Sequence, residues 1–156
     1  MKKIILNIGI IYLSANNLIL AHCQIPCGIY DDALRIIIIK ENFQTIKKSM
    51  EQIQKLSDLS DTLSKNQLNR WIHTKEQHAQ DVQEIISNYF LTQRIKESHE
   101  AYTDKLKLLH KLLLIAMRCK QSTDIEHTKE ANSLVDTFSK LYFDKHGFEH
   151  LEKLLE

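Results

Sequence analysis

A ten-residue stretch near the amino terminus concentrates the residues that could carry chemistry. It reads His22-Cys23-Gln24-Ile25-Pro26-Cys27-Gly28-Ile29-Tyr30-Asp31, and it holds two of the three cysteines and the only proline of the chain. Proline lacks the amide hydrogen that a helix needs, and its ring clashes with the preceding turn. We therefore expect this stretch to form a loop or hook rather than part of a helix.

The residues before this stretch have the layout of a cleavable export signal. Two lysines precede an apolar run, residues 4–13, and the small residue Ala21 stands directly before His22. The run is too short to span a bilayer as a helix. We therefore predict that residues 1–21 are a cleaved leader and that His22 becomes the amino terminus, with a cut after Ala15 as the alternative.

A free amino terminus at His22 would give the stretch an unusual set of metal donors. The amine of His22 and the backbone nitrogen and thiolate of Cys23 form two fused chelate rings, and Cys27 can return on the Pro26 turn as a second thiolate. Two nitrogens and two sulfurs in a plane suit Ni(II) or Cu(II), whereas Zn(II) prefers a tetrahedron. The His22 imidazole can add an axial ligand. The predicted metal ligands are therefore His22, Cys23 and Cys27.

The spacing of the two cysteines alone leaves other interpretations open. A Cys-x-x-x-Cys pair in an exported protein is also typical of a disulfide. Two further hypotheses are a carrier or sensor that holds nickel or copper without turnover, and a secreted helical module stapled by Cys23 and Cys27 that binds no metal. The third cysteine, Cys119, falls near the end of a predicted helix and is expected to be a buried apolar residue rather than a ligand.

Composition and charge narrow the classes of partner. The whole chain has a formal net charge of +1, and the predicted leader contains two of its lysines and no acid. The mature domain, residues 22–156, therefore carries 19 basic and 20 acidic side chains. This balance gives no electrostatic reason to expect nucleic acid or an anionic membrane as a partner after leader removal. A charged content of 26% and a hydrophobic content of 43% are typical of a globular domain.

Helical spacing of apolar residues predicts two helices directly after the hook. Asp31 and Asp32 are suited to cap the first helix, whose predicted inward residues are Ile39, Phe43, Ile46, Met50 and Ile53. The segment 57–66 is predicted to be the first connection. The second seam then runs through Leu68, Ile72, Lys75, Ala79, Val82, Ile86 and Tyr89. Lys75 is its polar exception, and we hypothesise that Lys75 supports the hook.

Two more helices follow in the prediction. The third covers about residues 98–120, with Tyr102, Leu106, Leu109, Leu113 and Ala116 inward. The fourth begins at a capping box, residues 123–126, and ends at His146-Gly147, with Ala131, Leu134, Phe138 and Leu141 inward. A short amphipathic tail follows. The expected fold class is all-α, an antiparallel four-helix bundle over residues 31–156 with an amino-terminal metal-binding hook over residues 22–30.

The ten-residue stretch resembles the nickel hook of nickel-containing superoxide dismutases. The mature amino terminus of that family reads His-Cys-x-x-Pro-Cys-Gly-x-Tyr-Asp. Every fixed position of the pattern is present here, at His22, Cys23, Pro26, Cys27, Gly28, Tyr30 and Asp31. A looser resemblance continues downstream as far as Tyr89-Phe90, so it covers most of the mature chain.

The resemblance implies a function and an assembly. It implies dismutation of superoxide through a Ni(III)/Ni(II) cycle, with Tyr30 over the open axial face as a further catalytic residue beside His22, Cys23 and Cys27. It also implies a homohexamer. The leader predicts a location in the periplasm or outside the cell, and the resemblance adds the cytoplasm as the alternative, with a dedicated peptidase removing the leader. In the family an acid and an arginine often hold the axial imidazole, and this chain has Ile37 and His78 at the aligned positions, with Glu41, Arg70 or Glu76 as the alternative holders.

Overall fold

The computed structural model describes residues 31–155, so the predicted leader, residues 1–21, and the predicted hook, residues 22–30, lie outside the described residues. The described part of the chain is helical and contains no strand, which confirms the predicted all-α class. Its elements are α1 Asp32–Leu56, α2 Thr62–Glu84, a π-helical segment Ile85–Arg94 that continues α2, α3 Tyr102–Gln121, α4 Glu126–Tyr142 and α5 Lys145–Leu155.

The first helix forms as its sequence predicts. Asp31 has an extended backbone and its Oδ1 accepts hydrogen bonds from the amides of Ala33 (2.8 Å) and Leu34 (3.3 Å), which makes it the N-cap. All of the predicted inward residues are buried, namely Ile39, Phe43, Ile46, Met50 and Ile53. A single apolar stripe of this kind fixes which side of the helix faces the core.

The four long helices contact one another in a closed sequence. Helix α1 packs against α2, α2 against α3, α3 against α4, and α4 against α1, while α5 lies on α1. Their inner faces share one core, whose largest fully buried side chains include Phe43, Phe90 and Phe138. The core therefore lies between the long helices, and α5 covers the flank of α1.

Two helix starts differ from the prediction for local reasons. The first connection is shorter than residues 57–66, because Asp61 accepts a hydrogen bond from the amide of Ser64 (3.0 Å) and α2 already begins at Thr62. Helix α3 begins at Tyr102 rather than at 98, because Ala101 adopts a left-handed backbone with φ 53°. A left-handed residue cannot continue a right-handed helix, so it separates α3 from the preceding turn.

The predicted inward face of α3 was partly wrong. Leu109 and Ala116 are buried as expected, but Leu112 and Ile115 are also fully buried, whereas Leu106 and Leu113 are only partly buried. The run from residue 112 to 115 is apolar on every side, so its periodicity does not determine which side faces the core.

The predicted ends of the fourth helix were wrong. The box at 123–126 does not form, because α4 begins at Glu126 and its amide is bound by Asp124 Oδ1 (3.0 Å). Helix α4 ends at Tyr142, and Gly147 lies inside α5 instead of terminating α4. A Cβ at Gly147 would lie 2.8 Å from the ring of Phe143, so the glycine makes room for that ring.

Among residues 31–155, no helix combines the length and the apolar character that crossing a bilayer requires.

Candidate functional site

The four predicted site residues, His22, Cys23, Cys27 and Tyr30, lie outside the described residues. What the structure describes is the end of the fold to which they are joined, because Asp31 directly follows Tyr30 in the chain. The region around the start of α1 is therefore the described part of the candidate site, and we call Asp31, Asp32, Tyr89, Arg94, Tyr142 and His150 the hook base.

Asp31 uses both of its carboxylate oxygens. Oδ1 caps α1, and Oδ2 lies 2.6 Å from Nε2 of His150 in α5. The hydrogen bond to His150, followed by the helix amides, holds the pKa of Asp31 below its usual range, although partial burial acts in the opposite direction. The carboxylate is therefore favoured in its charged form at the point where the hook sequence joins the first helix.

The carboxylate of Asp32 accepts hydrogen bonds from three side chains that are distant from it in the chain. Its Oδ1 accepts a hydrogen bond from Arg94 Nε at 2.8 Å and a short one from the Tyr89 hydroxyl, and its Oδ2 accepts one from the Tyr142 hydroxyl at 2.6 Å. Arg94 also donates to the Tyr89 oxygen at 2.8 Å. Charge-assisted bonds of this kind are the stronger class of protein hydrogen bonds. The cluster ties the first turn of α1 to the π-helical segment and to the end of α4.

Both tyrosines of the cluster are held in their protonated form. Burial, and then the hydrogen bond to Asp32, raises the pKa of Tyr89 to about 12. The same causes, in the same order, raise the pKa of Tyr142 still further. A carboxylate that accepts from a hydroxyl disfavours loss of that proton, because two negative charges would then face each other. Tyr89 and Tyr142 therefore act as hydrogen-bond donors at neutral pH.

Aromatic packing holds the tyrosines in place. Phe90 is fully buried and meets the rings of Tyr89 (5.2 Å), Phe138 (5.3 Å) and Tyr142 (5.5 Å) edge to face. Edge-to-face contacts are a favoured geometry for aromatic pairs. The Arg94 guanidinium lies 4.7 Å from the centre of the Tyr89 ring. These aromatic rings therefore form a packed apolar layer next to the polar groups of the hook base.

The π-helical segment explains why Tyr89 and Arg94 meet. Residues five apart face the same side of a helix with i→i+5 hydrogen bonds, whereas an α-helix aligns residues three and four apart. The amide of Ile95 accordingly bonds to the carbonyl of Phe90 at 2.9 Å. Sequence reasoning missed this cluster, since its members are far apart in the chain and no residue pattern marks a π-helix.

Lys75 does not belong to the hook base. Its ammonium is buried and donates to the carbonyls of Cys119 (2.7 Å) and Lys120 (2.5 Å) at the end of α3. Lys75 lines a groove together with Ile53, near the end of α1, whereas the hook base lies at the start of α1. The described partners of Lys75 thus include backbone carbonyls at the end of α3, where the side chain caps that helix. Because the hook lies outside the described residues, the hypothesis that Lys75 supports it stays a prediction.

The two positions aligned with the imidazole-holding residues of the family also have local partners. Ile37 packs against the core, and His78 Nδ1 lies 2.5 Å from Oδ1 of Asn42. This contact joins α2 to α1, and it occupies the ring nitrogen that would otherwise be available on that side.

The described residues do not offer a second metal site. Within 31–155, no group of three or more histidine, cysteine or acidic side chains is arranged to hold a metal ion. Cys119 is fully buried, as predicted, and burial raises the pKa of its thiol to about 11, so it stays protonated rather than forming the thiolate that metals bind. By contrast, the nitrogen and thiolate donors of His22, Cys23 and Cys27 suit nickel chemically.

The chain was compared with known proteins. The family model for nickel-containing superoxide dismutase matches residues 17–146, which include the hook sequence and most of the helical region. No curated protein and no solved structure was found to match the chain. The chain belongs to the nickel-containing superoxide dismutase family, and it is accordingly an oxidoreductase with nickel as its cofactor and superoxide as its substrate.

Proposed function

We propose that the enzyme performs this reaction at a hook formed by residues 22–30, after residues 1–21 have been removed. The observation that carries the proposal is the family match, which begins before His22 and contains the whole ten-residue stretch. The reaction converts two superoxide ions and two protons into oxygen and hydrogen peroxide. The domain that carries it is residues 22–156.

Each hook residue has a role in this proposal. His22 would hold nickel through its terminal amine and its imidazole, Cys23 through its backbone nitrogen and thiolate, and Cys27 through a second thiolate. Bound nickel supplies a reversible one-electron Ni(III)/Ni(II) couple, which no side chain offers. Tyr30 would gate access to the metal and order water or substrate beside it, and Pro26 would stiffen the turn.

In this proposal the helices hold the first turn of α1, to which the hook is joined, in a fixed position. We infer that α1 to α4 form an antiparallel four-helix bundle, which is supported by the closed order of their contacts. The hook base fixes the first turn of α1 through Asp31 and Asp32. A site whose ligands must keep a fixed geometry benefits from attachment to such an element.

Assembly and location follow from the family and the leader. We propose that the mature protein is a homohexamer that is exported to the periplasm or beyond the cell, and that it is not attached to a membrane after leader removal. The alternative location is the cytoplasm, with a dedicated peptidase acting on the leader. Mass measurement of the native assembly, together with fractionation of the cells, tests both statements.

The decisive experiment is to determine the terminal sequence, mass and nickel content of active protein. We expect it to begin at His22 and to hold one nickel per chain, because the amine ligand exists only at that terminus. Cys23→Ser and Cys27→Ser should abolish nickel binding and superoxide decay while helical circular dichroism is kept. Cys119→Ser is the matched control and should keep both. Active protein that begins at any other residue would overturn the proposed ligand set.

A further inference from the structure

The carboxyl-terminal helix α5 reaches back to the base of the hook. The family match ends at residue 146, so residues 147–155, which form most of α5, lie beyond it. The helix packs on α1, and its Leu151 is buried in the shared core with only 3% of its surface exposed. Helix α5 is therefore a fixed part of the fold rather than a loose tail.

One side chain of α5 touches the residue that follows the hook. His150 Nε2 lies 2.6 Å from Asp31 Oδ2, across 119 positions of sequence. The other oxygen of the same carboxylate caps α1. Asp31 is thus held from two sides, by the first turn of its own helix and by α5. An imidazole that carries hydrogen on Nε2 can donate this bond whether it is neutral or charged.

We propose that α5 positions the nickel hook, with His150 as the positioning residue acting through Asp31. The inference rests on the proposed function, since it needs residues 22–30 to be the metal-binding hook. The N-cap bond alone fixes Asp31 only relative to α1. The bond from His150 adds a second anchor, and it restricts the direction in which the chain leaves α1 toward Tyr30.

The expected effect is modest, because both partners are partly exposed, with 46% of the His150 side chain and 42% of the Asp31 side chain accessible. Exposed pairs of this kind change an equilibrium constant by roughly twofold to fivefold. We therefore expect nickel to leave a protein without this bond about two to five times faster, with the helical core unchanged.

The test compares three variants of the processed full-length protein. His150→Leu removes the donor, His150→Gln keeps an N–H group at a similar reach, and His146→Leu changes an exposed histidine one turn earlier in α5 as the control. Two quantities are measured: the rate of nickel transfer to a chelator, and amide hydrogen exchange of the peptide 22–34 with and without nickel.

We expect His150→Leu to accelerate nickel release and to raise exchange in 22–34, while His150→Gln and His146→Leu resemble the wild type. The proposal is overturned if His150→Leu changes neither quantity, if His150→Gln is as defective as His150→Leu, or if exchange rises equally in α2 and α3. Absence of nickel from the wild type would instead count against the proposed function. The comparison of hydrogen exchange in metal-free protein tests the role of His150 whether or not the wild type binds nickel.

Discussion

Replacing Lys75 by methionine separates the stability of the bundle from the chemistry of the hook. Lys75 has only 5% of its side chain exposed, and its ammonium donates to the carbonyls of Cys119 and Lys120 and to Glu76 Oε1 at 2.8 Å. Methionine keeps an unbranched apolar stem of similar length but removes all three donors. The last carbonyls of α3 then lose the partner that they lack within their own helix.

The size of the effect follows from these contacts. A hydrogen bond that involves a charged group contributes about 1.5–3 kcal/mol, and here two such bonds to buried or partly buried carbonyls are lost. Two effects reduce the total: methionine avoids the cost of burying an ammonium, and the groove beside Lys75 is open to water. We expect the free energy of unfolding to fall by about 2–3 kcal/mol, or roughly 6–10 °C in Tm for a domain of this size.

Urea unfolding followed by circular dichroism measures this change. Lys47→Met is the control, because Lys47 is exposed and its 3.8 Å pair with Glu51 contributes only about 0.3–0.5 kcal/mol. Nickel content and superoxide decay at low temperature should be unchanged in Lys75→Met, because Lys75 is far from the hook base. The groove that Lys75 lines includes Ile53, which lies 21 residues along α1 from Asp32, or about 30 Å of helix.

Two results would refute this reasoning. A loss below about 0.5 kcal/mol, the range of ordinary surface substitutions, would show that the α3 carbonyls do not depend on the ammonium. Loss of nickel in a variant of normal stability would show that Lys75 acts on the hook after all, despite its position at the other end of α1.

Three further predictions concern the hook and its base. Asp31→Asn keeps a capping side chain, so the stability difference from wild type should be present above about pH 4 and disappear as the pH falls through the lowered pKa of Asp31; a difference that persists in strong acid would contradict the charged role. Tyr89, with its pKa raised to about 12, should ionise later than ordinary tyrosines near 10, and the stability from its bond to Asp32 should be present below about pH 10 and lost as the pH rises through 12. Ultraviolet titration of wild type against Tyr89→Phe checks this, and a difference between the two curves that is already complete near pH 10 would disprove it. His22→Gln, correctly processed, should keep most of its nickel but lose most of its activity, because only the imidazole disappears; near-normal superoxide decay by pulse radiolysis would exclude the axial role.

The sequence predicts structure well where one local pattern dominates. The seam of α1 is buried at every predicted position because its five apolar residues recur at a regular spacing of three or four. In α3 the apolar residues surround the helix at residues 112–115, and the buried face is decided by packing against α2 and α4. The start of α3 depends on the left-handed backbone of Ala101, a residue type that gives no signal for that conformation.

The candidate site also has one part that the sequence predicts, the hook, and one part that it does not, the hook base. The hook is predicted from ten consecutive residues because its donors are adjacent in the chain, and the family match covers them. The hook base joins Asp32 to Arg94 and Tyr142, which are 62 and 110 positions away. No periodicity links such residues. Their meeting is a product of the whole fold, and it could be found only once the helices were placed.

The π-helical segment imposes a rule on the length of the chain. Tyr89 and Arg94 lie five positions apart in a stretch with wider turns, and both face Asp32. In ordinary α-helical turns of about 100° per residue, side chains five positions apart would point about 140° away from each other. We therefore expect homologous chains either to keep these two residues five positions apart with wide turns, or to lack one residue between them and form an ordinary α-helix, in which side chains four positions apart still face the same side.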